Sequence, residues 1–419
     1  MLYERWRRVA QERGGAIALR DGPTGRAWTF AQLADEAERA TCPDSRMAYA
    51  CGAGGEFVFS VLSAWRHGRV VCPLEPGQAP PELPRLPREC AHVKLTSGTT
   101  GAARAILFTA EQLAADADNI VATMGLRAEW PNVGAISLAH SYGFSNLVTP
   151  LLLHGIPLSV TGTPLPEAVQ RACAREKAVT LAGVPALWRA WHEAGAITPT
   201  VRLAISAGAP LPLALEQTVF NERGVKIHNF YGSSECGGIA YDDSDAPRAD
   251  AACTGAPLRN VHLSQTDDGC LVVRSRAVAM TYWPEAQANL GNGCFRASDL
   301  VELKDGLVYL RGRAGDLINV AGRKVSPEQI ERALQTHPEV RDCLVFSVPE
   351  ADAQRGELIV ACVAGMAGLE GERLRQYLLE KLPAWQVPRE WVVVDALPVN
   401  QRGKLSRAEW RAKYLRERA

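Results

Sequence analysis

Short runs of Val, Ile and Leu alternate with amphipathic stretches through the first 260 residues, and this alternation restricts the possible folds more than any other feature. Runs of four to six apolar residues between turn signals predict buried strands, and longer stretches of period 3.6 predict helices. The predicted strands are 92–96, 135–138, 179–183, 202–206 and 225–230, and the predicted helices are 109–124, 165–176, 184–194 and 211–223. Such alternation builds layers of helices on a largely parallel sheet. The sequence therefore predicts an α/β fold.

The pattern changes beyond residue 260, where short strands follow one another without helices between them. The predicted strands are 261–264, 270–274, 300–304 and 307–311. Asp267-Asp-Gly and Lys304-Asp-Gly are tight-turn signals between strands. These features predict a small β-subdomain at the end of the large N-terminal domain.

The remaining residues read as a separate α+β unit, since 419 residues are too many for one ordinary core. Its predicted helices are 326–336 and 369–382, and its predicted strands are 342–348, 358–364 and 390–395. Gly312-Arg-Ala-Gly315 interrupts the pattern before this unit. We therefore predict a large multi-subdomain domain over 1–314 and a small mobile domain over 315–419.

The charge and cysteine content exclude several classes of protein. Lys+Arg and Asp+Glu both total 46, which argues against a nucleic-acid partner. The longest apolar runs, such as residues 147–153, are too short for an integral membrane segment. Eleven cysteines without a CxxC pair predict reduced thiols, and the first residues lack the apolar core of a secretory signal. A cytoplasmic protein is expected.

The most informative motif is the stretch from Lys94 to Arg104, Lys-Leu-Thr-Ser-Gly-Thr-Thr-Gly-Ala-Ala-Arg. Its glycines allow a tight turn that points several backbone N–H groups into one concavity, and its hydroxyls add donors. Such a turn predicts a phosphate nest, although a solvated loop has the same composition. No Lys-Ser/Thr follows the second glycine, so this is not a Walker P-loop.

Residues 96–104 resemble the signature loop of the adenylate-forming superfamily, which comprises acyl-CoA synthetases, luciferases and peptide-synthetase adenylation domains. The family pattern is Thr-Ser-Gly-Ser/Thr-Thr-Gly-x-Pro-Lys-Gly, and here Ala103 replaces Pro and Arg104 replaces Lys. The resemblance gives Arg104 a catalytic role in offsetting phosphate charge, through a planar fork in place of a point charge. It assigns phosphate binding to Thr96, Ser97, Gly98, Thr99, Thr100 and Gly101.

Two further motifs follow in the order of that family. Ser206-Ala-Gly-Ala-Pro-Leu211 resembles the loop that lines the adenine, and Asn229-Phe-Tyr-Gly-Ser-Ser-Glu235 resembles the family's Tyr-Gly-x-Thr-Glu. The resemblance implies that Tyr231 packs on adenine, that Ser234 contacts phosphate and that Glu235 holds Mg²⁺. The other nucleotide-binding residues that it implies are Gly208, Ala209, Pro210, Asn229 and Gly232.

The last motifs flank the predicted domain boundary and the C-terminus. By the same resemblance, Asp299 and Arg313 contact the ribose, and Gly322 gives the pantetheine thiol close backbone approach. Lys404, in Pro398-Val-Asn-Gln-Arg-Gly-Lys-Leu-Ser-Arg, matches the mobile catalytic lysine. Relatives usually carry Asp or Lys at the hinge position where this chain has Gly315.

The identity of the acid substrate is indicated by the motif His140-Ser-Tyr-Gly-Phe-Ser145. This motif stands where acyl- and aryl-CoA synthetases carry His-x-x-Gly. The resemblance places His140 at the carboxylate-binding wall as a catalytic residue. No acidic residue lies between Trp130 and Leu165 to hold an α-ammonium group. Small residues at Gly232, Cys236 and Gly237 suggest a roomy pocket. A fatty or aryl acid is expected, and an amino acid is not.

The implied reaction is ATP-dependent activation of a small carboxylic acid to acyl-AMP, with transfer to the thiol of coenzyme A. The implied cofactors are ATP, Mg²⁺ and coenzyme A. Two alternatives stay open: a ligase that loads the phosphopantetheine of an acyl carrier protein, and a catalytically weak nucleotide- or acyl-binding homologue. The expected state is a monomer or homodimer.

Overall fold

The computed structural model describes residues 1–42, 45–96, 104–349, 357–366, 368–397 and 406–418, which fall into two compact units. Unit 1 comprises 1–264, 272–297 and 305–308, and unit 2 comprises 265–271, 298–304 and 309–419. The two units alternate along the chain between residues 265 and 308. The domain boundary after residue 314 therefore stays a prediction.

The helices lie mainly between the strands of unit 1, as the alternation predicts. They are α1 (Leu2–Glu12), α2 (Phe30–Arg39), α3 (Gly55–Arg66), α4 (Ala110–Met124), α5 (Ser141–Gly143), α6 (Thr149–His154), α7 (Pro166–Ala174), α8 (Pro185–Glu193), α9 (Leu213–Arg223), α10 (Pro327–Leu334), α11 (Gly371–Leu379) and α12 (Arg407–Arg418). None of the helices in the described ranges combines the length and apolar character that crossing a bilayer requires.

The strands before residue 260 belong to the layered sheets, and later ones are mostly hairpin strands. They are β1 (Ile17–Asp21), β2 (Ala27–Thr29), β3 (Met47–Cys51), β4 (Val70–Leu74), β5 (His92–Thr96), β6 (Arg104–Phe108), β7 (Asn132–Gly134), β8 (Leu158–Val160), β9 (Val179–Gly183), β10 (Val201–Ser206), β11 (Ile227–Ser233), β12 (Gly237–Tyr241), β13 (Cys253–Pro257), β14 (His262–Gln265), β15 (Cys270–Arg274), β16 (Thr281–Trp283), β17 (Leu290–Gly291), β18 (Cys294–Lys304), β19 (Leu307–Arg313), β20 (Ile318–Val320), β21 (Arg323–Val325), β22 (Val340–Pro349), β23 (Glu357–Gly365) and β24 (Glu390–Val394).

Unit 1 contains two sheets. In the larger, β13-β12-β11-β10-β9-β7-β8-β1-β2 are neighbours in that order, and the pairs from β11 through β9, β7 and β8 to β1 are parallel. The smaller has the order β16-β6-β5-β4-β3. Parallel sheets need apolar residues on both faces, and β9 is accordingly buried along its whole length. These observations confirm the predicted α/β layers.

Unit 2 has its own core around the sheet β22-β23-β24, against which α10 and α11 pack. The core side chains include Ile330, Val345, Val363, Leu374 and Leu378, all nearly inaccessible. A separate hairpin pairs β20 with β21. Helices on an antiparallel and parallel mixed sheet give the α+β architecture that the sequence predicts for this part of the chain.

Most predicted elements agree with the structure within two or three residues, and β5, β9 and β15 agree at both ends. The strand predicted at 135–138 is wrong, because the paired residues are Asn132–Gly134 and the next residues are irregular, with bends. Sequence reasoning missed this strand, because Asn132 and Gly134 are not typical strand formers. The buried Asn132 side chain donates its amide N–H to the Asn146 carbonyl at 3.1 Å, whereas its oxygen Oδ1 has no hydrogen-bond partner among the described residues.

His92 is a fully buried histidine in the core of unit 1, on β5. Its ring centroid lies 4.5 Å from that of Phe144 and 6.3 Å from that of Phe108. Neither ring nitrogen has a hydrogen-bond partner among the described residues. Burial lowers the pKa of His92 well below its usual 6.5, and the nearby charge of Lys94 adds to this. The folded protein therefore holds His92 neutral.

We predict that His92 destabilises the protein as the pH falls below about 6.5. Its folded-state pKa is depressed, so below 6.5 the unfolded chain binds a proton that the folded chain cannot accept. The contribution is up to about 1.4 kcal/mol per pH unit. Urea unfolding at pH 7.5, 6.5 and 5.5 should show a flatter decline for His92→Leu. The exposed residue His262 provides the control, His262→Leu, which should keep the wild-type slope; equal slopes for all three proteins would contradict the prediction.

Candidate functional site

The predicted adenine-binding residues follow the carboxyl ends of neighbouring parallel strands in unit 1. Gly183, Ser206 and Asn229 are register partners across β9, β10 and β11. Open α/β sheets bind ligands at this edge. Gly208, Ala209 and Pro210 form the loop directly after β10, and Gly208 has φ +85°, which favours glycine. The structure thus brings the adenine loop beside the start of the Tyr231 motif.

The turn between β11 and β12 presents Ser234 and Glu235. The Glu235 N–H donates to the Ser233 hydroxyl at 3.2 Å, which closes the turn. The Tyr282 hydroxyl donates to Glu235 Oε1 at 3.0 Å. Tyr282 lies on β16, where it is the register partner of Ile106 on β6. Sequence reasoning missed Tyr282, because nothing local shows that β16 pairs with the strand after the phosphate loop.

Glu235 suits a magnesium ion that is shared with phosphates. Its carboxylate is half-buried, and Tyr282 engages one of its two oxygens. No group of three or more His, Cys, Asp or Glu that could hold a metal occurs within the described ranges. Mg²⁺ usually keeps several waters and binds through one or two carboxylates plus substrate phosphates. A single oriented carboxylate therefore fits this ion.

The two ends of the predicted phosphate loop are register partners on β5 and β6. Thr96 pairs with Arg104, and the Thr96 hydroxyl donates to the Arg104 carbonyl at 3.3 Å. Arg104 is exposed. The loop residues predicted from the sequence, Ser97 to Gly101, lie outside the described residues. Because β5 and β6 pair antiparallel, the residues at which the loop begins and ends lie side by side.

Lys94 is a buried cation on the strand that leads into this loop. It is 5% exposed, and its ammonium lies 4.6 Å from the centre of the Phe108 ring. Burial lowers the pKa of Lys94, and the negative charges of Asp116 and Glu235 oppose that shift. The position of this lysine within the mostly apolar stretch His-Val-Lys-Leu-Thr could have identified Lys94 as a buried cation from the sequence.

The acid motif contacts the nucleotide motif through a hydrogen bond between two serines. The Ser141 hydroxyl donates to the Ser234 hydroxyl at 3.1 Å. The neighbouring Tyr142 donates to the Ile205 carbonyl at 3.1 Å, on the strand that precedes the adenine loop. His140 is therefore next to a residue that touches the β11–β12 turn. The structure brings together two stretches that are more than ninety residues apart.

Glu75, just after β4, supplies an acidic residue to the acid motif. Its Oε1 lies 3.3 Å from His140 Nε2 and accepts a hydrogen bond from Ser137 at 2.6 Å. The absence of acidic residues between Trp130 and Leu165 is therefore an incomplete guide to the charge at this motif. Sequence reasoning missed Glu75, because it follows β4, a strand of the smaller sheet, whereas His140 follows β7 of the larger sheet.

Asp116, on α4, joins the acid motif to β12. This buried carboxylate accepts from the Ser145 hydroxyl at 2.6 Å and from the Gly238 N–H at 3.0 Å. A Cβ at Gly237 would collide with Asp116, and one at Gly232 would lie 2.7 Å from the Gly237 carbonyl oxygen. Packing alone therefore accounts for these glycines, and the roomy pocket stays a prediction. The glycines allow close packing of the turn.

Cys236, beside Glu235, is fully buried and contacts the Ser233 hydroxyl at 3.3 Å. Burial raises the pKa of its thiol to about 12. The eleven cysteines are all free of disulfides, as predicted.

Unit 2 contains the predicted ribose and pantetheine residues. Arg313 Nε donates to Asp299 Oδ1 at 2.9 Å, so the two predicted ribose contacts are neighbours. Gly322 has φ +82° and donates its N–H to Asn319 Oδ1 at 3.0 Å. A Cβ at Gly322 would meet nothing within 4 Å, so the constraint on this residue within the described structure is conformational.

Arg407 anchors the start of α12 in unit 2. Its guanidinium donates to both Glu331 oxygens, at 2.9 and 2.8 Å, and to the Val345 carbonyl at 3.0 Å. It also pairs with Glu328 at 2.9 Å. Lys404, the predicted catalytic lysine, lies outside the described residues. The chain after it is nevertheless fixed by Arg407, three residues further on.

A buried network of four charged residues supports the adenine loop and the β11–β12 hairpin. Lys226 Nζ lies 2.5 Å from Glu216 Oε1 and 2.6 Å from Asp242 Oδ2, and Arg248 Nε lies 2.9 Å from Glu216 Oε2. Arg248 also donates to the carbonyl of Leu211, at the end of the adenine loop, at 2.8 Å. All four side chains are nearly inaccessible. Glu216 links α9 to both cations.

We predict that Glu216→Gln destabilises the protein by about 3–5 kcal/mol, because it leaves the buried cations with one carboxylate between them. The matched control is Glu222→Gln on the same helix. Glu222 is largely exposed and pairs with His192 at 3.3 Å, so its loss should cost about 1 kcal/mol or less. Urea unfolding measures both changes, and similar costs for the two variants would contradict this role for Glu216.

Comparisons with known proteins identify relatives of this chain. The family model "AMP-binding enzyme" matches residues 84–283, and "AMP-binding enzyme C-terminal domain" matches 329–404. The chain is 30% identical over 351 residues to an anthranilate–CoA ligase of Pseudomonas aeruginosa, which covers 78% of this chain and 67% of that protein. It is 30% identical over 339 residues to a probable 2-succinylbenzoate–CoA ligase of Mycobacterium tuberculosis, which covers 76% and 83%.

Among solved structures, an anthranilate CoA ligase, AuaEII, in complex with anthranoyl-AMP superposes with a TM-score of 0.86. The match covers 100% of this chain and 98% of that one, at 19% sequence identity. This likeness shows the fold, a large N-terminal domain followed by a small C-terminal domain.

Proposed function

The chain belongs to the AMP-binding enzyme family, and from that premise we propose that it is an AMP-forming acid–thiol ligase. In the first half-reaction a carboxylic acid attacks the α-phosphate of ATP, which forms acyl-AMP and releases pyrophosphate. In the second, the acyl group passes to the thiol of coenzyme A and AMP leaves.

The observation that carries this proposal is the hydrogen bond between Ser141 and Ser234, at 3.1 Å. It joins the acid motif around His140 to the turn that presents Glu235. A ligase of this kind must hold the acid and the phosphates together, since a reaction between two bound molecules depends on their proximity and orientation.

The charges at the site suit an attack by one anion on another. Bound Mg²⁺ supplies positive charge that neutralises the departing pyrophosphate, and Glu235, oriented by Tyr282, is its proposed ligand. Arg104 and Lys404 add cations from this chain, and the loop Thr96–Gly101 adds backbone donors. Removing one such donor typically costs about 10²–10³ in rate.

Residues of unit 2 are proposed to serve both half-reactions. Asp299 and Arg313, 2.9 Å apart, form a carboxylate–guanidinium pair that suits the two hydroxyls of a ribose. We place the boundary of the mobile domain at 314/315, where Gly315 allows backbone rotation. Lys404 serves adenylation, and Gly322 then offers close backbone approach to the pantetheine arm.

The proposed substrate is an aryl or fatty acid, with aryl acids favoured. The two relatives described above are named for anthranilate and 2-succinylbenzoate, both aromatic acids. ATP–pyrophosphate exchange tests this with benzoate, anthranilate, ferulate, decanoate and L-alanine. Exchange with at least one aryl acid and none with L-alanine is expected; no exchange with any acid supports the catalytically weak homologue instead.

The proposed acceptor is free coenzyme A, in the cytoplasm, with the enzyme a monomer or homodimer. The alternative acceptor is the phosphopantetheine of an acyl carrier protein, whose thiol has the same chemistry. Incubation with ATP, the preferred acid and either coenzyme A or a holo-carrier protein separates the two. Thioester formed with coenzyme A alone, detected by mass, supports the proposal, and acylated carrier alone contradicts it.

We predict that Lys404→Ala lowers acyl-AMP formation by about 10²-fold or more, because it removes a cation from the reacting anions. A synthetic benzoyl-AMP should still react with coenzyme A at a rate close to that of the wild type. The control is Lys413→Ala, on the exposed side of α12, which should retain both half-reactions. Equal losses in both half-reactions of Lys404→Ala would contradict this role.

We predict that Tyr282→Phe raises the Mg²⁺ concentration for half-maximal pyrophosphate exchange by about 10-fold, because Glu235 loses a hydrogen bond that orients its carboxylate. The KM for the acid should change little. Tyr49→Phe, at a residue that is 37% exposed, should leave both constants unchanged. An unaltered Mg²⁺ dependence in Tyr282→Phe would exclude Tyr282 as the residue that orients Glu235.

A further inference from the structure

The carboxylate of Glu75 is held in a fixed place beside His140. The Ser137 hydroxyl donates to Glu75 Oε1 at 2.6 Å, and the Glu75 backbone N–H donates to the Gln78 side chain at 3.1 Å. Ser137 in turn accepts a hydrogen bond from the Ala139 N–H at 3.2 Å. The segment before His140 is therefore tied to the turn after β4 by hydrogen bonds that also fix the carboxylate.

This arrangement favours a proton on one particular nitrogen of His140. An ionised carboxylate only accepts hydrogen bonds, and Glu75 Oε1 lies 3.3 Å from His140 Nε2. The negative carboxylate therefore favours a proton on the nitrogen that faces it, and the environment of one ring nitrogen sets the tautomer of a histidine. The same contact favours one orientation of the ring about its bond to Cβ.

An exposed ion pair usually contributes little, because ordering two side chains offsets the attraction. Here the Glu75 and His140 side chains are 32% and 40% exposed, and Ser137 has already ordered the carboxylate. Less entropy is then lost when His140 binds to it, and the pair can orient a ring that is itself accessible to a ligand. Its value lies in orientation rather than in stability.

We propose that Glu75 is a positioning residue for the acid, which holds His140 in one tautomer and one orientation at the carboxylate-binding wall. This inference rests on the proposed function, because it assigns His140 to the acid site. Glu75 reaches that site from the small sheet β16-β6-β5-β4-β3, whereas His140 follows β7 of the large sheet. The acid site is thus completed across the two sheets of unit 1.

The first test is Glu75→Gln, which keeps the shape and an acceptor oxygen but removes the charge. With benzoate and anthranilate as probe acids, kcat/KM for the acid should fall by about 10- to 100-fold, and the KM for ATP should change less than 2-fold. Glu75→Asp should recover part of the loss. The control is Glu82→Gln, an exposed carboxylate seven residues on, which should match the wild type.

A double-mutant cycle separates this role from a general one. If Glu75 acts through His140, then Glu75→Gln in a His140→Asn background should lower kcat/KM by less than 2-fold further. Independent, multiplicative losses would overturn the proposal. If Glu75→Gln does not fold, Ser137→Ala, which releases the carboxylate, replaces it in the same cycle with the same expected outcomes.

A spectroscopic readout makes the test independent of turnover. In protein labelled with ¹⁵N-histidine, the ring signal that disappears in His140→Asn should report a protonated Nε2 in the wild type and shift in Glu75→Gln. An unchanged His140 signal would overturn the proposal even if no acid supports pyrophosphate exchange. A lack of exchange with a shifted signal would instead count against the proposed function alone.

Discussion

The site depends on the hydrogen bonds that the buried carboxylate of Asp116 accepts. It binds the Ser145 hydroxyl on one side and the Gly238 N–H on the other, at 2.6 and 3.0 Å. A buried carboxylate is stable only when its oxygens are satisfied, so α4, the acid motif and the start of β12 must keep their relative places. The hydrogen bond of Ser141 with Ser234 joins the same two segments of the chain.

The arrangement also explains the small residues of the Glu235 turn. Gly237 has φ +70° and leaves no room for a Cβ against Asp116. Glycine is needed because the backbone must approach the carboxylate closely. Pocket size therefore cannot be read from the small residues of this motif. Close contacts with the paired strand and with Asp116 decide their identity.

The sequence predicts the layers, most element positions and the order of the motifs, because hydrophobic period and glycine-rich turns are local properties. It fails where a contact joins distant segments. Glu75 approaches His140 through sheet packing, and Tyr282 approaches Glu235 through the pairing of β16 with β6. The sequence does not reveal the charged network around Glu216 for the same reason. Its members are residue types that usually lie on the surface, and only the fold shows that they are buried together. The strand β7 was missed because Asn132 and Gly134 are not typical strand formers.

Cys236 bears on the chemical selectivity of such an enzyme. An acyl-AMP is an electrophile that reacts with thiols, and this cysteine immediately follows the residue that we assign to the metal. Only the thiolate is a strong nucleophile, and with its pKa raised to about 12 by burial Cys236 stays protonated at neutral pH. The protein therefore avoids acylating itself at that position, which leaves the activated acid for the thiol delivered from outside.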